Sequence, residues 1–151
     1  MKHFSSPYLT IDYLAEPRVL AGRWWRGVMP FELHRGYAAL LDAAVSRRCR
    51  FWLVDLSNRA GGVDAADVQW MLSDFFPQLP VRLKRTTYLA YLMAPHQLAG
   101  VLADPSIPAL TYFDGRPYRL ERFTTEVAAL EWLEHCRLQD ARARRRKTAP
   151  Q

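Results

Sequence analysis

"FWLVDLSNRAGG", residues 51–62, decides how the rest of the chain is read. Its first six residues are apolar except for Asp55. A strand with one wet face alternates apolar and polar residues. A strand without alternation is buried on both faces, as central parallel strands are. The polar exit Ser57-Asn58-Arg59 follows, so residues 51–56 read as a central strand ending at a loop.

Working outward, "YLTIDYL" (8–14) and "RVLAGRWWRGV" (18–28) are rich in β-branched and aromatic residues. With Glu16-Pro17 between them they form a hairpin. Pro30 suits a first helical turn. Leu33, Tyr37, Leu40, Leu41, Ala44 and Val45 give residues 30–47 a helical apolar face. Val68, Met71, Leu72, Phe75, Phe76 and Leu79 predict a second helix over 64–79, capped by Asp64 and ended by Pro77 and Pro80. "TTYLAYLM" (86–93) is another buried strand, and 95–104 a short helix. Residues 108–123 hold one or two strands around Asp114-Gly115, and Thr124 caps a closing helix. The order β-β-α-β-α-β-α-β-α predicts an α/β fold, with a mixed, mainly parallel sheet, an N-terminal antiparallel hairpin and flanking helices.

A chain of 151 residues suits one domain, set at 1–136, followed by a basic tail at 137–151. The net charge of +6 is unevenly placed. From Arg137 onward six of the 21 Lys/Arg meet one acid, so the tail carries +5 and the body +1. The tail reads as a frayed, solvated end, with no specific nucleic-acid partner. Cys49 and Cys136 have no CxxC context and read as reduced thiols. The N-terminus lacks a long apolar run, and no stretch reaches the ~18 apolar residues of a membrane span. The expectation is a cytoplasmic protein without a membrane span.

Nucleotide-binding glycine loops, HExxH and GxSxG are absent from the sequence. The four histidines fall on different elements, so neither a metal site nor a cofactor is expected. Ligands of open α/β sheets bind beyond the carboxyl ends of parallel strands. That edge would carry Asp55, Ser57, Asn58 and Arg59, then Pro95, His96 and Gln97, then Thr124 with Thr125. The plainer account has Asp55 accepting loop amides while Ser57 and Asn58 close a turn. The opposite edge carries "RRCR" (47–50) and "RLKR" (82–85) at helix C-termini. There an anion groove competes with simple complementation of helix dipoles. Trp24 and Trp25 are adjacent on a strand and point to opposite faces. Trp70 lies about 160° from its helix's apolar stripe at ~100° per residue. All three are interface candidates for a homodimer, Trp70 alternatively being covered by its own chain.

The stretches "RWWRGVMPFELHRGYAALLDAA", "LVDLSN", "DVQWMLSDFFPQL" and "RFTTEVAALEWL" resemble small bacterial STAS-like proteins over residues ~8–135. STAS is the fold of anti-sigma-factor antagonists and sulphate-transporter tails. The resemblance implies a non-catalytic module for binding proteins or small apolar or anionic ligands. Regulatory members carry a phosphorylated serine in an Asp-Ser-Ser-Gly context at a helix N-terminus. This chain has "VDAADV" (63–68) there, with Ala65 and Ala66 in place of hydroxyls, which implies that the switch is missing. Two other readings compete. One is a carrier of a small lipid-like ligand in a pocket lined by Phe75, Tyr88, Tyr91 and Tyr112. The other is a hydrolase-type enzyme using Asp55 and His96.

Overall fold

The N-terminal hairpin is present and gains a third strand at its edge. In the computed structural model, which describes residues 2–59, 64–105 and 117–148, β1 (Lys2–Ser5) pairs antiparallel with β2 (Leu9–Leu14), and β2 with β3 (Val19–Trp24). Helix α1 (Pro30–Arg47) then leads to β4 (Phe51–Asp55). Helix α2 (Ala65–Trp70), a π-helical turn (Met71–Phe75) and α3 (Gln78–Leu83) lead to β5 (Thr87–Leu92). Helix α4 (Pro95–Ala103) precedes β6 (Tyr118–Phe123), and α5 (Glu126–Thr148) follows it. Sheet order follows chain order, β1 to β6, and β3 through β6 run parallel. The protein is therefore α/β with a mixed six-stranded sheet. Among the described residues no helix is long and apolar enough to cross a membrane.

β4 and β5 are buried at every position, which is why neither alternates in sequence. Pairing register sorts their side chains between two helical layers. Gly22, Val54, Tyr91 and Arg122 share one face, the face covered by α1, because a Cβ on Gly22 would lie against Leu40. Arg23, Asp55, Leu92 and Phe123 share the other. Helix α5 covers that second face, its Trp132 ring lying 5.7 Å from Phe123 and 6.4 Å from Tyr88.

The expected helix over 64–79 is divided. Phe76 N–H donates to the Met71 carbonyl, five residues back, at 2.8 Å. That single wider turn inserts one residue and rotates what precedes it. Trp70 therefore leaves its off-stripe position and stacks on His34 of α1 at 4.0 Å. Periodicity at a fixed angle cannot anticipate such a turn. The closing helix also differs from expectation. Its cap is Thr125, whose hydroxyl accepts from Ala128 N–H at 3.3 Å, while Thr124 is exposed. The helix continues into the basic tail as far as Thr148, with the Arg50–Asp140 ion pair at 2.6 Å along its length. The Asp114-Gly115 turn, with the strand expected around 108–116, lies outside the described residues.

Helix α1 lies close to the hairpin because residue 36 has no side chain. A Cβ there would overlap the Trp24 indole and approach Leu9 Cδ2 to 3.0 Å. Trp24 is fully buried and rigidly flanked by Tyr8 and Tyr37. Gly36→Ala should therefore cost about 1–3 kcal/mol by overpacking, more than the ~1 kcal/mol that helix propensity returns. Urea denaturation measures it, and an unchanged or raised midpoint would contradict this packing.

Candidate functional site

Asp55 ends β4 on the α5 face. Its Oδ2 accepts from Arg23 Nη1 at 3.0 Å, and its Oδ1 from Ser57 N–H at 2.9 Å and Ser57 Oγ at 2.5 Å. Arg23 Nη1 also reaches Glu126 Oε1 at 2.7 Å, in the first turn of α5. Burial opposes the Arg23 charge, but its hydrogen bonds to Glu126 and Asp55 outweigh that and raise its pKa. Asp55 thus joins β3, β4 and the exit loop through one carboxylate, and Arg23 extends the link to Glu126 of α5. Ser57 and Asn58 are the middle of a turn closed by Arg59 N–H on the Leu56 carbonyl at 3.0 Å. The plainer expectation for these three residues is what the geometry supports. His96 is exposed on the first turn of α4 and Thr124 is exposed before α5. Asp55 and Ser57 are brought together; Asn58, His96 and Thr124 do not join them as one site.

The hollow lies on the other face, above the same carboxyl edge. It measures about 70 Å³ and sits between β4–β6 and helices α1, α2 and α4. Its walls are mostly apolar, including Leu33, Met71, Phe76 and Val101. Four polar groups converge on it: the Tyr37–Tyr91 pair, Arg59, Asp67 and Arg122. The two tyrosine hydroxyls lie 3.0 Å apart in a buried hydrogen bond. Arg59 Nη2 stands 3.9 Å from Asp67 Oδ2. Burial raises the Asp67 pKa, with nearby Asp64 adding to it.

Gln97, buried beside the surface His96, holds the rim. Its Nε2 donates to the carbonyls of Leu56 at 3.0 Å and Arg59 at 3.1 Å, and its Oε1 accepts from Ala94 N–H at 2.7 Å. One amide therefore ties the β4 exit loop to the start of α4. Arg122 continues the inward phase of β6 after Tyr118 and Leu120. It is half-buried, and among the described residues no side chain bonds or ion-pairs with it. Burial lowers its pKa, yet an arginine side chain stays cationic in proteins.

No family model, curated protein or solved structure matches the chain.

Of the rings expected to line one pocket, Phe75, Tyr88 and Tyr91 do not come together among the described residues. Tyr91 lines the hollow. Phe75 is a core ring between Tyr37, Trp52 and Trp70. Tyr88 is on the α5 face, stacked on Phe51, and Tyr112 lies outside the described residues. Of the indoles, Trp24 is fully buried and Trp70 is packed within its own chain. Trp25 stays 45% exposed, with its Nε1 on Thr10 Oγ1 at 3.0 Å. It is the indole left to motivate a homodimer.

Burial pushes the Tyr37 phenol up to about 12 and raises Tyr91 well above its ordinary value. Unfolded tyrosines titrate near 10, so the folded state holds these protons more tightly. The resulting stability is complete below pH ~10 and is lost as pH rises through about 12. Urea stability should fall over that interval, and the double variant Tyr37→Phe/Tyr91→Phe should fall less steeply. An equal or steeper fall in the variant would contradict the buried pair.

Proposed function

We propose that the protein is a non-catalytic, STAS-like binding module whose hollow takes a small anionic group, a carboxylate on a short apolar stem. The observation that carries this reading is Arg122, a half-buried guanidinium facing an apolar hollow with no ion pair to it among the described residues and, of the carboxylates, only the through-space influence of its neighbour Glu121. A buried charge without a counter-ion is strongly unfavourable. Arg59 and Arg122 face one acid, Asp67, around the hollow, and the buried tyrosines stay neutral at pH 7. One added anion balances that set. Planar guanidinium forks suit carboxylates, while the apolar walls reward a short hydrocarbon stem.

Other readings fit less well. The hollow holds about 70 Å³, which suits the head and first carbons of a short ligand better than a long lipid chain. The enzyme reading needs Asp55 free, but Arg23 and Ser57 occupy its oxygens on the face away from the hollow. Asp64 caps α2 by accepting from Ala66 N–H at 2.8 Å. Ala65 and Ala66 open that helix, and neither has a hydroxyl to receive a phosphoryl group.

Isothermal titration with butyrate and butylammonium tests the proposal. Butyrate should saturate with Kd on the order of millimolar, and butylammonium should not bind. Arg122→Leu should abolish butyrate binding while leaving stability equal or higher, because replacing an uncompensated buried charge by a hydrocarbon is often neutral or stabilising. Equal uptake of both compounds, or a large loss of stability in Arg122→Leu, would contradict it.

A further inference from the structure

Two hydroxyls bordering the hollow carry more protons than their own bond uses. Tyr37 of α1 and Tyr91 of β5 both line it. Their oxygens lie 3.0 Å apart, and either can be the donor. Each phenol has one O–H to give. Whichever tyrosine donates, the mutual bond uses one proton, and the second O–H meets no acceptor among the described residues. Both side chains are buried, Tyr37 at 3% and Tyr91 at 7% exposure. Buried polar groups are hydrogen-bonded with few exceptions, and a donor left unmet is unfavourable. The hollow is the space that both side chains border.

Neighbouring charges distinguish the two hydroxyls. Parallel register places Tyr91 between Val54 of β4 and Arg122 of β6. Arg122 and Arg59 both act electrostatically on Tyr91. At Tyr37, Arg59 is opposed by Asp67. An anion entering the hollow is therefore drawn to the Tyr91 side, away from the carboxylate.

We propose that Tyr91 is the hydrogen-bond donor that selects the acceptor group of the ligand, with Tyr37 donating to Tyr91 behind it, an assignment that rests on the anion-binding reading of the hollow. The hydroxyls then form a chain from Tyr37 through Tyr91 to the ligand, in which each bond polarises the next. The arginines attract any anion, whereas a hydroxyl adds direction. Bonds from O–H to an ionised oxygen are shorter and stronger than neutral ones. The hollow accordingly takes a carboxylate in preference to an anion of equal charge that accepts hydrogen bonds weakly.

Nuclear magnetic resonance titration of butyrate and of the neutral ketone butan-2-one tests it, on the unmodified protein, Tyr91→Phe and Tyr37→Phe. The ketone offers an acceptor without charge, so it reports the hydroxyl separately from the arginines. Tyr91→Phe should weaken both compounds about tenfold or more. Tyr37→Phe, in which Tyr91 keeps its proton, should weaken them less than about fivefold. Both variants lose the same Tyr37–Tyr91 bond, so a merely structural role predicts equal losses. In the unmodified protein the Tyr91 Cζ resonance should shift when either compound is added. If butyrate does not bind while the ketone binds through Tyr91, the anion-binding reading falls and the donor stands. Equal losses in the two variants, a larger loss in Tyr37→Phe, or unchanged binding in Tyr91→Phe overturns the inference. So does failure of both compounds to bind, or an unmoved Tyr91 resonance, which decides the matter even where a variant fails to fold.

Discussion

Tyr37 is the side chain through which the core and the hollow depend on each other. Its ring packs 5.3 Å from Trp24, 4.8 Å from Phe75 and 6.2 Å from Trp70. Its hydroxyl crosses to β5 and meets Tyr91 at 3.0 Å. A buried hydroxyl left without a partner costs about 1–3 kcal/mol. The pair therefore sets how α1 stands over the sheet. Gly36, one residue earlier, lets α1 approach closely enough for that contact. The neutral phenols also leave Arg59, Arg122 and Asp67 as the charged groups around the hollow.

The carboxyl edge of β4 divides its work between two faces. On the α5 face Asp55 is spent on architecture, linking Arg23 and Ser57, with Glu126 drawn in through Arg23. The Arg23–Asp55 contact is the better protected, since Asp55 is 5% exposed and Glu126 45%. Exposed pairs contribute little. On the opposite face the same edge leaves a space and a cation. That asymmetry separates the residue that catches the eye in the sequence from the residues that line the proposed ligand site.

Much of the fold was legible because its signals are local. The unalternating run 51–56 and the strand 86–93 announced a buried parallel centre, and α1 matched its apolar spacing from Pro30 to Arg47. The divided helix was hidden because a π-turn changes the angle per residue without leaving a compositional mark. The edge position of β1 depends on pairing with β2 rather than on its own four residues. In the candidate site, Asp55 and Ser57 were visible as a polar break in an apolar run, and their role as a turn anchor was the simpler reading. Arg122 was missed although a signal existed. In "YRLERF" (118–123) it falls in phase with Tyr118 and Leu120, a charge on the apolar beat of a strand. Gln97 stood in the sequence beside His96 at the same edge, but its inward turn onto the Leu56 and Arg59 carbonyls is a tertiary contact that no local pattern marks.

The role proposed for Arg122 is to meet an anion from outside the chain. A crystal structure grown with butyrate tests this most directly. The expected result is a carboxylate in the hollow, shared between Arg122 and Arg59, with the hydrocarbon stem against Met71 and Val101. An empty hollow with Arg122 paired to one of the chain's own carboxylates would contradict it.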